Sequence, residues 1–101
     1  MGQRLTRPAQ KTDTKARLIT AVQRFMDAKA QERGYDDIFT AVTYAEESAV
    51  EKFQIEGRAF RSWRSAVWAF CYAYLDQVME GKKPVPTEAE LIALLPPLGL
   101  A

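Results

Sequence analysis

The chain has no histidine and only one cysteine, Cys71, in 101 residues. The first absence removes the commonest general base and the commonest zinc ligand. One thiol without an imidazole offers too few donors for a structural zinc site. A single cysteine forms no internal disulfide, so cysteine usage gives no sign of an oxidising compartment. Long apolar runs are also missing. The longest, Ala66 to Leu75, falls far short of the roughly 20 residues a membrane span needs. At the start of the chain, Arg4 and Arg7 lead into polar residues where a signal peptide would have an apolar stretch. These absences give an expectation of a protein of cytoplasmic origin with no metal or other cofactor. Catalysis would have to rest on carboxylates, lysine or tyrosine. The adjacent acids Asp36-Asp37 and Glu46-Glu47 do not form a site, because chain neighbours in a helix do not face one another. An enzyme is not expected.

What the chain has in quantity is aromatic residues on one predicted helix. Positions 60–75 (FRSWRSAVWAFCYAYL) hold six of them. Placed at 100° per residue, Phe53, Phe60, Val67, Cys71 and Val78 centre an apolar arc. Trp63, Phe70 and Tyr74 lie on one flank, and Leu75, Trp68, Met79 and Tyr72 on the other. The arc spans about 200°, whereas a surface helix usually shows little more than 100°. The opposite face carries the small residues Ala66, Ala69 and Ala73, which would let another helix approach closely. One neighbour cannot cover this much apolar surface. The edge holding Trp68 and Tyr72 is therefore a candidate partner surface, since both residues join a large apolar ring to a polar tip.

The remaining pattern is all-α within a single domain. Residues 1–13 read as a basic extended arm containing Pro8, ahead of a helical domain at 14–101. The first helix is predicted over Thr14 to Arg33, capped by Asp13 or Thr14, with Leu18, Ile19, Val22, Phe25 and Met26 at helical spacing. Gly34 is expected to close it in a left-handed conformation. A second helix is predicted from about Asp37 to Glu46, with Ile38, Phe39, Val42 and Ala45 inward. Ser48 and Glu51 have the spacing of a capping box and would open a long central helix at about 49–80, closed by Gly81. At 1.5 Å per residue that helix is about 48 Å long, against a radius of gyration of about 13 Å for a compact 100-residue domain. It must overhang the domain or bend, and Gly57 is the expected bend. Thr87 and Glu90 repeat the capping-box spacing, with Pro86 stapling onto Leu91, and open a short helix that Pro96-Pro97 ends. The expected architecture is a small helical bundle. One long central helix is joined by two shorter N-terminal helices and a short C-terminal helix.

Charge is segregated although the net is only +1. Residues 1–33 hold eight basic and three acidic side chains, a balance of +5; residues 34–57 hold one basic and six acidic, a balance of −5. These segments can neutralise one another in the fold, or leave a dipolar surface that steers a partner or stacks copies head to tail. Arg58, Arg61 and Arg64 step along one helix flank, as an anion clamp or as ion-pair partners of the acidic segment. Arg4 and Arg7 of the arm could track a nucleic-acid backbone. The overall pI of about 7.8 speaks against a dedicated nucleic-acid binder. Leu98 and Leu100 at the apolar C-terminus either fold back on the long helix or insert into another subunit.

Three segments, DAKAQERGYDDI (27–38), KFQIEGRAFRSWRSAVWAFCY (52–72) and GKKPVPTEAELIALLPPL (81–98), together resemble a family of small proteins encoded in tail regions of phages and prophages. The likeness runs from about Leu18 to Leu98, roughly four-fifths of the chain, and leaves the basic arm outside it. It implies a structural or assembly role in a virion tail, exercised by protein–protein contact with tail or tail-fibre proteins, and brings no catalytic residues. The chain would sit in the host cytoplasm during assembly or in the virion tail. The alternatives are a transient fibre-assembly chaperone and a small DNA-associated protein using its arm. The expected contact residues are Trp68, Tyr72, Arg58, Arg61, Leu98, Leu100, Arg4 and Arg7. Self-association is compatible with the charge segregation; a membrane or a small-molecule substrate is not expected.

Overall fold

A computed structural model describes residues 7–100. It contains four α-helices, α1 (Arg7–Glu32), α2 (Ile38–Thr43), α3 (Glu51–Met79) and α4 (Glu88–Leu94), with a 3-10 turn (Tyr44–Glu46) after α2. The described residues contain no strand. α1 and α3 form an antiparallel pair. Arg33 near the end of α1 meets Glu56 near the start of α3, while Phe25 meets Trp63 further along. α2 and the 3-10 turn pack across the first half of α3, and α4 packs on α1. The long helices draw the molecule out to 60 × 25 × 19 Å, with a radius of gyration of 16.4 Å. A compact domain of this size would have about 13 Å, so α3 does outrun the part of the fold that α2 covers.

The core lies between these helices. Leu18, Val22, Met26 and Ala30 of α1 interlock with Phe60, Trp63, Val67, Cys71 and Leu75 of α3; Ile38 and Ala41 close one end and Leu91 of α4 one side. The spacing on both long helices is that of a single apolar stripe. Burial pushes the Cys71 thiol pKa up, which keeps it in the protonated, unreactive form.

Both helix ends assigned to glycine are left-handed, Gly34 at φ 93° and Gly81 at φ 80°. Each is a Schellman motif. Tyr35 N–H donates to Ala30 O and Gly34 N–H to Gln31 O, and Lys82 and Gly81 repeat this onto Gln77 and Val78. The Thr87 capping box also forms. The Thr87 hydroxyl accepts from Glu90 N–H at 3.0 Å, and the Glu90 carboxylate accepts from Thr87 N–H at 2.8 Å. Pro86 and Leu91 are both buried.

The structure departs from the sequence reading in several places. The segment read as an extended arm is helical from Arg7, which makes α1 26 residues long, nearly the length of α3. Pro8 does not prevent this. A proline in the first turn removes an N–H that has no intrahelical partner anyway. The second helix splits, ending as α-helix at Thr43 and tightening to 3-10 over Tyr44–Glu46. The Ser48 box does not form. The Glu47 carboxylate takes the Ala49 N–H at 2.7 Å, and the chain stays non-helical to Val50, the N-cap, so Glu51 is the first helical residue. Phe39, expected inward, is 65% exposed. Phe53 sits at the margin, its ring against Tyr35 and Tyr44.

Gly57 is the most consequential difference. It lies in an unbroken α3 and is buried. A Cβ placed there would come within 2.5 Å of Ala45 N and 2.6 Å of Tyr44 C. The glycine allows the backbone of the 3-10 turn to rest on the backbone of α3. Close approach to that backbone is the role the structure gives it.

Candidate interaction surface

Several of the charged groups singled out in the sequence hold the α2 corner together, with Asp27 beside them. The Asp27 carboxylate on α1 accepts from Gln23 at 3.1 Å and from the first amide of α2, Ile38 N–H, at 3.1 Å. Asp37 caps α2 by accepting from Thr40 N–H at 2.8 Å, and that bond holds its carboxyl pKa below the usual range. Arg61 pairs with Glu46 at 2.9 Å and lowers the glutamate's pKa. Arg58 Nε donates to Ala45 O at 3.1 Å. Both arginines thus grip the 3-10 turn through one end of the acidic segment, the intramolecular alternative stated for them. Of the acid pairs, Asp37 is a cap, Glu46 an ion-pair partner and Glu47 an acceptor for Ala49 N–H.

Glu56 was missed in the sequence. It is 4% exposed. Its carboxylate accepts from Tyr35 Oη at 2.8 Å and pairs with Arg33 at 3.2 Å. A carboxylate this buried needs such partners to offset the loss of its hydration. Burial first, then the bond to Glu56, raises the Tyr35 phenol pKa well above its ordinary value. This buried link ties the end of α1 to the start of α3. Its only sequence signal was a glutamate beside the apolar arc, next to Trp63 on the helical wheel.

The C-terminal tail folds back on its own chain. Trp63 Nε1 donates to Pro96 O at 2.7 Å, and Leu95, Leu98 and Leu100 pack against the core cluster. Leu98 and Leu100 are therefore engaged within the protein, partly buried, rather than projecting as free contact residues. Arg4 lies outside the described residues, and Arg7 is the first residue of α1.

Trp68 and Tyr72 remain at the surface. Their rings stack on the second half of α3, 5.4 Å apart and inclined by 19°. Trp68 is half-buried against the core, and Tyr72 is 48% exposed. On the far flank Phe70 and Tyr74 lie 5.7 Å apart, with the Lys83 ammonium 5.4 Å from the Tyr74 ring. These rings cost little entropy to hold and present flat apolar area, with polar tips on Trp68, Tyr72 and Tyr74, the composition of contact hot spots. Further apolar surface, Phe39 and Ile55 (53% exposed), lies on α2 and the start of α3. Among the described residues no cluster of three or more histidine, cysteine, aspartate or glutamate side chains could hold a metal ion. No helix there is long and apolar enough to cross a membrane. Searches of protein families, characterised proteins and solved structures find no match to this chain.

Proposed function

We propose that this protein is a phage tail-associated structural or assembly component that works by protein–protein contact, as a virion tail or fibre-attachment subunit. The observation that carries the contact role is the stacked Trp68–Tyr72 pair, left at the surface of a helix whose second half α2 does not cover. The tail assignment rests on the sequence resemblance of the 27–38, 52–72 and 81–98 segments. In the fold these become the α1–α2 junction, the first two-thirds of α3, and α4 with its tail. The polar clusters tie elements together, which suits a non-enzymatic scaffold.

Two measurements test the reading. Mass spectrometry of purified particles is expected to find peptides of this chain; their absence from intact virions would remove the virion-component role and leave transient assembly. Trp68→Ala is expected to weaken binding to the tail partner by more than about tenfold while the domain stays folded. Loss of several kcal/mol of stability instead would make the ring a core residue.

A further inference from the structure

We propose that the outward face of α3 is the contact surface of an antiparallel, two-fold dimer of this chain. On α3 the residues Arg58, Ser62, Ala66, Ala69, Ala73 and Asp76 are all exposed and follow the three- and four-residue steps of one helix face. For about three turns, from Ser62 to Ala73, this face carries no charge, in a chain whose residues are 27% charged. The exposed face of α1 is different, with Arg17, Arg24 and Glu32 at the surface. Solvated helix faces normally carry such charges.

The occupant follows from how the two ends of this face differ. A basic group, Arg58, stands at one end and an acidic one, Asp76, at the other. A second α3 laid antiparallel about a two-fold axis between Ala66 and Ala69 sets Arg58 of each copy beside Asp76 of the other. The same register faces Ser62 with Ala73 and Ala66 with Ala69. An isologous contact of this kind makes each complementary pair twice, and a parallel copy would instead oppose like charges. The small side chains at the crossing allow close approach of the helices.

Shape agrees with charge. Ala59, Ser62 and Ala66, with Pro97 and Gly99 of the tail, line a hollow of 310 Å³. Further along the same flank Phe70, Ala73, Tyr74 and Leu94 line one of 400 Å³. In the antiparallel register the small-lined hollow of each copy faces the aromatic-lined one of the other. This surface lies beside the Trp68–Tyr72 edge, and pure protein tests it, so it stands or falls separately from the tail assignment.

Sedimentation velocity of the full chain over a range of concentrations is the test. A concentration-dependent monomer–dimer equilibrium is expected. Ala69→Arg, an exposed change that puts two like charges at the crossing, is expected to raise the dimer dissociation constant at least about tenfold with helical circular dichroism retained. Asp76→Arg should weaken the dimer; adding Arg58→Asp, which also gives up the bond to Ala45 O, should restore it in protein whose helical circular dichroism is retained. A chain that stays monomeric at every concentration overturns the proposal. So does a dimer indifferent to Ala69→Arg, which would place the contact elsewhere. A folded charge-swapped double variant that stays dissociated would refute the antiparallel register.

Discussion

Replacing Gly57 by alanine sets two effects of known sign against each other. In an exposed helix interior the change is favourable by about 1 kcal/mol, because alanine loses less backbone entropy. Here the added Cβ would lie 2.5 Å from Ala45 N, 2.6 Å from Tyr44 C and 3.0 Å from Ala41 O. All three are backbone atoms, so no side chain can rotate away. To reach the 3.4 Å of an ordinary contact, the 3-10 turn must withdraw by nearly an ångström. That movement strains the Arg58–Ala45 bond, the Arg61–Glu46 pair and the packing of Tyr44 on Phe53. Overpacking of this sort costs about 1–3 kcal/mol where side chains can relax, and rigid backbone puts Gly57 at or above the top of that range. The net expectation is a loss of about 2 kcal/mol. For a domain of this length each kcal/mol moves the Tm by about 4–8 °C, so thermal unfolding followed by circular dichroism should show a fall of about 10 °C. An unchanged or raised Tm would refute the close-approach account and return Gly57 to an ordinary, costly helix glycine.

Two further outcomes are expected. The Tyr35 phenol has its folded pKa raised above the ordinary 10.0, so above that pH the unfolded state releases the proton first and stability falls as pH rises. Tyr35→Phe should remove that alkaline slope in denaturant titrations. At neutral pH the same change should cost about 1–3 kcal/mol, by depriving the buried Glu56 of a donor; an unaltered alkaline slope would mean that another group titrates. Thr87→Ala should cost about 1 kcal/mol by removing a formed cap, whereas Ser48→Ala should be nearly silent because its capping box is absent. Equal losses in urea unfolding would contradict the two cap assignments.

The helical class, the Schellman ends at Gly34 and Gly81, the Thr87 capping box and the apolar arc of α3 were legible in the sequence, because each depends on residues within a turn or two of one another. Local signals failed where two of them competed. Ser48 and Glu51 had the right spacing, but the Glu47 carboxylate takes the Ala49 amide and the helix starts only at Glu51. Pro8 read as a break, yet the first helical turn accommodates it. The exposed aromatic surface was half legible: Trp68 and Tyr72 stood out at the edge of the arc, while Phe39, expected inward, is exposed.

What the sequence by itself determined is which stretches become helix, where most of them end, and which stripe of each turns inward. Backbone sterics and side-chain periodicity act over a few residues and need no partner. Only the tertiary structure decided that Gly57 is a seat for a crossing backbone, that Glu56 is a buried charge held by Tyr35 and Arg33, and that Arg58 and Arg61 grip the 3-10 turn. It also seated Leu98 and Leu100 on their own core. Each of these depends on atoms far apart along the chain meeting at a few ångströms, and a one-dimensional pattern does not carry that distance.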